Sequence, residues 1–258
     1  MTALHRFSRT ELLIGTTALQ RLQQSHLVVV GLGGVGSYTA EALCRSGVGR
    51  LTLVDFDDVC LTNLNRQLHA TTATIGKPKA EVMAERLRLI HPAAEIIALR
   101  QFYSAETSDQ ILTGQIDYVV DAIDHITAKL HLLVTCRERQ LPIISSMGAA
   151  AKLDPTRIKV GDIAETHTCR MARSMRKLLK KQGVVTGIKV VYSTEEFTAP
   201  VAQVPGCHGN CVCPNKDDQK FSCLHRRVVL GSVAHIPGIF GLTMAGEVIR
   251  DLLGEQPQ

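Results

Sequence analysis

A glycine-rich stretch that follows an apolar run constrains the fold of this chain more than any other feature. The run VVVGLGGVGS places Gly31, Gly33, Gly34 and Gly36 directly after an apolar segment, and a second apolar segment ends at Asp55. In a strand–turn–helix unit the first glycine permits the tight turn, and the second lets a phosphate approach the backbone. The third lets helix and strand pack closely. The pattern therefore predicts a phosphate-binding turn at the start of a helix.

The same turn predicts a nucleotide rather than a free anion. The first turn of the helix offers unpaired amide hydrogens and the positive end of the helix dipole to phosphate. Asp55, at the end of the next strand, can accept hydrogen bonds from ribose hydroxyls. Because dehydrogenases have a similar arrangement, the glycines alone leave open whether the ligand is a dinucleotide for hydride transfer or ATP.

The residues after Asp55 favour ATP. The segment FDDVCLTNLNRQ and the helix beyond it bring five polar residues near the predicted turn: Asp57, Asn63, Arg66, Gln67 and Lys79. Arg66 can donate two hydrogen bonds to phosphate oxygens, and Lys79 supplies a compact charge. Attack on the α-phosphate of ATP builds negative charge that such cations stabilise, whereas hydride transfer does not need them. The block predicts nucleotidyl transfer.

Two carboxylates follow a later predicted strand. The segment DYVVDAIDH ends that strand with Asp121 and Asp124. A carboxylate at this point can hold the Mg²⁺ that bridges the phosphates of ATP.

Apolar runs alternate with helical patterns through the first 150 residues. The predicted strands are 27–30, 51–54, 96–99, 118–122 and 142–145, and the predicted helices are 37–45, 79–90 and 128–139. This alternation predicts an α/β fold with a doubly wound, mostly parallel, Rossmann-like sheet. We expect one domain over 1–258, in which 150–258 is a looser C-terminal extension that serves substrate binding and dimerisation.

The series RFSR, GLGGVGS, DFDDVCLTNLNRQ, GKPKAE and VVDAID resembles the ubiquitin-activating-enzyme-like (ThiF/MoeB/HesA) adenylating superfamily over residues 6–150. The resemblance implies an enzyme that adenylates a carboxylate with ATP and Mg²⁺. It assigns ribose binding to Asp55, phosphate binding to Asn63 and Arg66, contact with the reacting phosphates to Lys79, and Mg²⁺ to Asp124. It also implies that Arg9, in RFSR, reaches into the site of a partner chain, so that the enzyme is a homodimer.

The second half of the chain bears on the substrate. The segments VGDIAETHTCRMARSMRKLLKKQGV, VVYSTEEFTAP and LGSVAHIPGIFGLTMAGEVIRDLL resemble the tRNA threonylcarbamoyladenosine dehydratases. That family adenylates the carboxylate of a modified adenosine in tRNA, and an atom of the same side chain then displaces AMP and closes a ring.

Two other functions stay open at this point. One is an adenylyltransferase that activates the C-terminal glycine of a ubiquitin-like sulfur-carrier protein, with Cys169 as the attacking thiol and a cysteine desulfurase or sulfur acceptor as partner. The other is a nucleotide-binding or redox module without catalysis.

A run of basic residues favours tRNA as the partner. A predicted helix over 169–182 carries six cations at spacings of three and four: Arg170, Arg173, Arg176, Lys177, Lys180 and Lys181. These spacings gather the cations on one broad face, which suits a phosphate backbone and predicts salt-dependent binding. A net charge of +5 permits such an anionic partner. A solvated surface helix is the alternative.

The chain has eight cysteines. We found no signal-peptide pattern, so we expect a cytoplasmic protein with reduced or metal-bound thiols. The cysteine-rich loop 207–225 leaves three interpretations: a redox-active loop, thiols without a shared role, or a structural Zn²⁺ site with Cys207, Cys211, Cys213 and Cys223 as ligands. The apolar C-terminal segment is interrupted by His235, Pro237 and glycines, so we expect a buried or subunit-contact helix and no membrane span.

Overall fold

Seven strands form one sheet in the computed structural model, which describes residues 4–199, 201 and 230–254. The strands are β1 (His26–Val30), β2 (Arg50–Val54), β3 (Glu95–Leu99), β4 (Tyr118–Asp121), β5 (Ile143–Ser146), β6 (Ile158–Asp162) and β7 (Lys189–Ser193). The helices are α1 (Ser8–Ile14), α2 (Thr16–Gln24), α3 (Gly36–Arg45), α4 (Lys79–Ile90), α5 (Ser108–Ile111), α6 (Ile126–Glu138), α7 (Arg170–Lys181) and α8 (His235–Leu253).

The strand order is β3-β2-β1-β4-β5-β7-β6, and each strand is parallel to its neighbours except β6, which runs antiparallel to β7. The predicted doubly wound, mostly parallel sheet is thereby confirmed, and each predicted strand and helix lies within two residues of its observed bounds. The last two strands come from the region after residue 150, whose strands the sequence pattern left unassigned. This region therefore extends the same sheet.

The side chains of the central strands are buried on both faces of the sheet. On β1, Leu27 and Val29 join an apolar cluster formed with α3, α4 and α8, whereas Val28 and Val30 join a second cluster formed with α6. Burial on both faces explains why these strands are continuous apolar runs rather than alternating ones. The hydrophobic effect thus fixes the sheet at the centre of a three-layer arrangement.

Helix α8 packs against the helix that follows the glycine-rich turn. A Cβ placed on Gly241 would lie 2.4 Å from the carbonyl oxygen of Val35, so the two helices meet at a glycine. The hydroxyl of Thr39 on α3 donates a 3.1 Å hydrogen bond to the carbonyl oxygen of Gly241. The apolar C-terminal segment is therefore a buried helix that supports the turn. In the described part of the chain, no helix has the length and apolarity needed to cross a membrane.

A fully buried ion pair lies at the end of β4. The ammonium group of Lys129 donates to Asp121 Oδ2 at 2.6 Å, to Ser145 Oγ at 3.2 Å and to the Ser146 carbonyl oxygen at 3.0 Å. Both charged side chains are 0% exposed. Because every ammonium hydrogen has an acceptor, the pair joins α6 to β4 and β5 without leaving a buried charge uncompensated.

We expect Lys129→Met to lower the free energy of unfolding by about 3–5 kcal/mol, because it leaves the Asp121 carboxylate buried without its partner. Urea denaturation measures the change. Lys159→Met, which alters an exposed lysine on β6, is the control and should change stability by less than about 0.5 kcal/mol. Adding Asp121→Asn to Lys129→Met should recover part of the loss, and an additive further loss would contradict the pairing.

Candidate functional site

The carboxyl ends of β1, β2 and β4 meet where the strand order reverses. Gly31 follows β1, Asp55 follows β2 and Ala122 follows β4. Gly31 has a φ of +90°, and a Cβ on it would lie 2.7 Å from the carbonyl oxygen of Ala122. A Cβ on Gly36 would lie 1.8 Å from the carbonyl oxygen of Gly31. The first and third glycines are therefore required by packing, at the crevice where doubly wound folds bind their ligands.

The second glycine has open space beside it in the part of the chain that the structure describes. The nearest atom to a Cβ on Gly33 is Gln67 Nε2, at 4.0 Å. Gln67 is buried, and within the described ranges its Oε1 has no hydrogen-bond partner. A Cβ on Gly34 would lie 3.0 Å from Pro237 Cβ at the start of α8 and 3.4 Å from the carbonyl oxygen of Arg66. The turn is thus open at Gly33 and bordered by a polar atom that a ligand can satisfy.

Asp55 is held at the end of β2 by two backbone amides. Its carboxylate accepts hydrogen bonds from the Leu32 N–H at 2.6 Å and from the Asp57 N–H at 2.9 Å. Burial raises the pKa of Asp55 above its usual range, while the charge of Lys79 acts in the opposite direction. The carboxylate is therefore fixed directly beside the glycine-rich turn, in the position that suits ribose hydroxyls.

Lys79 begins α4 with a buried side chain. Its ammonium group pairs with Asp57 Oδ2 at 2.8 Å, and its N–H donates to the Asp57 carbonyl oxygen at 3.0 Å. This charge also acts on the imidazole of His69, whose pKa is lowered to about 3, chiefly by burial and then by Lys79 and Arg86. His69 is therefore neutral near pH 7, and Lys79 provides the buried positive charge at this point.

Arg66 lies beside the turn on a half-buried segment. Its Nη1 donates to the Thr62 carbonyl oxygen at 2.8 Å and to Asn65 Oδ1 at 2.9 Å. Asn63 is buried, and its Oδ1 accepts the Cys60 N–H at 3.0 Å. The Arg66 carbonyl oxygen would lie 3.4 Å from a Cβ on Gly34, so the backbone of this residue borders the turn.

The two carboxylates after β4 have different environments. Asp121 is buried and paired with Lys129, whereas Asp124 is exposed in the loop beyond Ala122. No cluster of three metal-ligating side chains occurs within the described ranges. A single exposed carboxylate suits Mg²⁺, which takes one or two protein ligands and completes its shell with phosphates and water.

Arg9 lies near the amino ends of the strands, opposite the glycine-rich turn. It is exposed on α1, and Phe7 beside it packs on Gly47, with its Cγ 3.7 Å from a Cβ placed there, and on the ring of His91 at 4.8 Å between centroids. These contacts lie in the loops that precede β2 and β3, whereas the glycine-rich turn follows β1. The fold therefore does not bring Arg9 to the nucleotide turn of its own chain.

The basic helix is amphipathic. Helix α7 buries Ala172, Met175 and Leu179. The guanidinium carbon of Arg170 lies 3.8 Å from the ring centroid of Phe197. Arg176 donates to the Thr166 carbonyl oxygen at 2.6 Å and also contacts the Thr166 hydroxyl, so it connects α7 to the segment before it. Arg170 is exposed, and so are the four other cations: Arg173, Lys177, Lys180 and Lys181.

The structure describes the candidate thiol Cys169 but not the four candidate Zn²⁺ ligands. Cys169 directly precedes α7, and its side chain is buried in an apolar cluster that includes Met147 and Met175. Such burial does not suit an attacking thiol. The four Zn²⁺ candidates, Cys207, Cys211, Cys213 and Cys223, lie outside the described residues.

Aromatic rings that the sequence analysis did not single out border the same edge. Phe56 follows β2, Phe102 follows β3 and His125 follows β4. The Phe56 and Phe102 centroids are 5.0 Å apart and those of Phe102 and His125 are 5.7 Å apart, both in edge-to-face geometry. Their position directly after predicted strands is the feature by which the sequence could have identified these rings. The rings form an apolar border next to Asp55.

Comparison with known proteins gives a consistent result. The model of the ThiF family matches residues 7–258. The tRNA threonylcarbamoyladenosine dehydratase of Bacillus subtilis is 46% identical over 97% of this chain and 95% of its own. The Escherichia coli protein of the same name is 42% identical over 97% and 94%. The crystal structure of the E. coli tRNA N6-threonylcarbamoyladenosine dehydratase in complex with ATP superposes with a TM-score of 0.82 at 34% identity, covering 97% of this chain and 94% of that chain.

The glycines make a test of the turn possible. Gly33→Ala should leave the free energy of unfolding unchanged or raise it by up to about 1 kcal/mol, because the backbone there is not left-handed and space is available. Its ATP affinity should fall about 10- to 100-fold, since the methyl group displaces phosphate from backbone amides and such a hydrogen bond contributes about 1.5–3 kcal/mol.

Gly36→Ala should instead destabilise the fold by about 3 kcal/mol, the upper end of overpacking effects. Gly246→Ala is the control for both measurements, because Gly246 is exposed on α8 and an added Cβ would have no described atom within 4 Å other than those of its chain neighbours and its own helix backbone. Denaturation and calorimetric titration with ATP separate the two effects. Unchanged ATP affinity in Gly33→Ala would show that phosphate does not approach this turn.

Proposed function

The chain belongs to the ThiF family, and within that family we propose that it is an ATP-dependent tRNA threonylcarbamoyladenosine dehydratase. The observation that carries the proposal is similarity over nearly the whole of both chains to proteins of that name, one of them solved with ATP. Similarity confined to the nucleotide half would not have distinguished this activity from other adenylations, because the glycine-rich turn is common to them.

The reaction has two steps. A carboxylate oxygen of the threonylcarbamoyl group attacks the α-phosphorus of ATP, and the bond to pyrophosphate breaks. An atom of the same side chain then attacks the activated carbonyl carbon, and AMP leaves with the former carboxylate oxygen. The nucleoside loses one water in total, and ATP becomes AMP and pyrophosphate. No enzyme nucleophile is needed, which agrees with the burial of Cys169.

The site can support the first step electrostatically. In this proposal Asp55 accepts hydrogen bonds from the ribose, Gln67 hydrogen-bonds to the ligand beside the turn, and the space at Gly33 leaves room for the triphosphate. Arg66 and Lys79 then bring positive charge to the phosphorus at which negative charge grows. Asp57 holds Lys79 in place through the 2.8 Å ion pair. Asp124 is the residue we expect to bind Mg²⁺, which would neutralise the phosphates.

The exposed cations of α7 are the proposed contact with the tRNA backbone. Arg173, Lys177, Lys180 and Lys181 are presented to solvent on the side of the helix opposite its buried residues. Arg176 differs, because its guanidinium is engaged with Thr166 and its main effect is to hold the helix. The charge of the others would supply salt-dependent, sequence-independent affinity.

The sulfur-carrier alternative makes a structural demand that the proposed dehydratase does not. It requires a thiol that reaches an acyl-adenylate, and Cys169 is buried. The Zn²⁺ site, a cysteine-desulfurase partner and a cytoplasmic location remain predictions of the sequence.

The proposal predicts that the protein, ATP, Mg²⁺ and tRNA bearing the linear modification yield a nucleoside lighter by one water, measured by mass spectrometry. Arg66→Ala should reduce turnover about 10²–10³-fold, because it removes a charge that stabilises the transition state. Arg50→Ala is the matched control, since Arg50 lies at the opposite edge of the sheet and pairs with Glu95 at 3.3 Å. An unchanged nucleoside together with a thioester trapped on a sulfur-carrier protein would favour the alternative. Absence of pyrophosphate with both substrates would indicate a non-catalytic module.

We also propose a homodimer in which Arg9 completes the site of the partner chain. Arg9 is exposed and lies away from its own turn, and Leu12 and Leu13 on the same helix are 87% and 85% exposed. Such apolar exposure on one short helix is typical of a contact surface. A symmetric dimer would cover these leucines and carry each Arg9 to the other chain.

Mixed dimers test this arrangement. Arg9→Ala and Arg66→Ala chains should each be nearly inactive, but co-expressed chains should recover about a quarter of the activity, because random pairing gives one intact site in half of the dimers. Turnover of the purified mixture is the measurement. No recovery in subunit-exchanged dimers, or a monomer by analytical ultracentrifugation, would contradict the proposal.

A further inference from the structure

Arg170 and Phe197 form a stacked pair at the edge of the sheet that carries the nucleotide turn. The guanidinium lies 3.8 Å from the ring centroid, well within the range of cation–π attraction. Phe197 follows β7, which runs parallel to β5, so it emerges at the carboxyl edge. Arg170 begins α7, and the preceding Cys169 lies 3.7 Å from a Cβ placed on Gly148, just beyond β5.

A chain of hydrogen bonds connects this pair to the candidate phosphate-binding arginine. Asn65, directly before that arginine, donates to the Ser232 carbonyl oxygen at 2.9 Å. The neighbouring carbonyl of Gly231 accepts the Ala151 N–H at 2.8 Å, and the Ala151 carbonyl accepts the Thr198 N–H at 3.2 Å. Thr198 directly follows the stacked phenylalanine. The pair is therefore tied by three hydrogen bonds to the segment that borders the glycine-rich turn.

We propose that the Arg170–Phe197 pair is a stacking platform for an unstacked base of the RNA substrate. This inference rests on the proposed function and specifies how its substrate is oriented. Single-stranded RNA bases are held by stacking on aromatic rings and arginine planes. Arg170 is exposed and Phe197 is half-buried, so a planar base can reach the pair from solvent.

The platform adds what the exposed cations of α7 do not provide. Contacts between lysines or arginines and phosphates are insensitive to the base, so they fix the position of the RNA backbone only approximately. Adenylation requires the substrate carboxylate to lie in line with the α-phosphorus of ATP. A base stacked on this pair, at the same ends of the strands as the turn, fixes the direction in which the modified nucleoside extends. Phe197 is therefore a positioning residue for the reaction.

The chain contains no tryptophan, so Phe197→Trp places a single fluorescent reporter on the platform. Addition of tRNA should quench its emission, because a stacked base contacts the indole ring, whereas ATP alone should leave the emission unchanged. The control is Leu89→Trp, at a position on α4 that is 85% exposed. Its emission should not respond to tRNA.

Kinetics distinguishes positioning from structural support. Phe197→Leu should raise KM for tRNA about 5- to 100-fold, the size expected for the loss of one base–aromatic stack, with the ATP dissociation constant and the melting temperature unchanged. Phe197→Tyr should keep the original KM. Arg170→Lys keeps the charge but loses the planar group, so it should also raise KM.

Specific results would overturn the inference. They are a tRNA complex, detected by filter binding, that leaves the Phe197→Trp emission unchanged, or a Phe197→Leu variant with unaltered KM. Failure of the proposed function is separate, because an unaltered protein that binds tRNA without removing water refutes the dehydratase activity, while the tryptophan signal still decides the stacking. Failure to bind tRNA refutes both.

Discussion

The structure depends on one close backbone approach, between the turn after β1 and the end of β4. Gly31 lies against the Ala122 carbonyl and Gly36 against the Gly31 carbonyl, at distances that leave no room for a side chain. This approach holds the turn against β4 at the point where the strand order reverses, and it directs the first turn of α3 toward the crevice. The amides of the glycine-rich turn, the Asp55 carboxylate and the loop that carries Asp124 are all positioned by it. Among the described residues, Gly33 differs from its neighbours because a Cβ on it would meet only Gln67, at 4.0 Å, so this glycine leaves space at the turn while Gly31 and Gly36 shape it.

Two lysine–aspartate pairs flank this point and serve different purposes. The Lys129–Asp121 pair is fully buried, has all its hydrogen bonds satisfied within the protein, and connects α6, β4 and β5. The Lys79–Asp57 pair lies at the crevice, where the side chain of Asp57 is 26% exposed. A charge at the rim of an open crevice can act on a ligand, whereas a charge enclosed by its acceptors can only position the backbone. The same distinction applies to two neighbouring carboxylates: Asp121 is enclosed and paired, whereas Asp124 is exposed.

The C-terminal region supports the site through helix packing and through backbone hydrogen bonds. Helix α8 packs on α3 at Gly241 and places Pro237 against Gly34, so it reinforces the turn. The backbone at Gly231 and Ser232 hydrogen-bonds to the loop after β5 and to Asn65. The region that the sequence suggested to be a looser extension thus contributes two strands, a supporting helix and the ties between the proposed RNA-binding elements and the nucleotide crevice.

The sequence by itself determined the strand–turn–helix unit, the parallel sheet over its first half and the polar set after Asp55. These features depend on local spacing: buried parallel strands read as apolar runs, and the glycines are required within a few residues of one another. Sequence spacing also gave the cations of α7, but not the separate contact of Arg176 with Thr166. Only the tertiary structure decided which of Asp121 and Asp124 is exposed, that Arg9 lies near the amino ends of the strands, and that Phe197 stacks on Arg170. Each of these depends on groups from separate elements, and only folding brings such groups into contact.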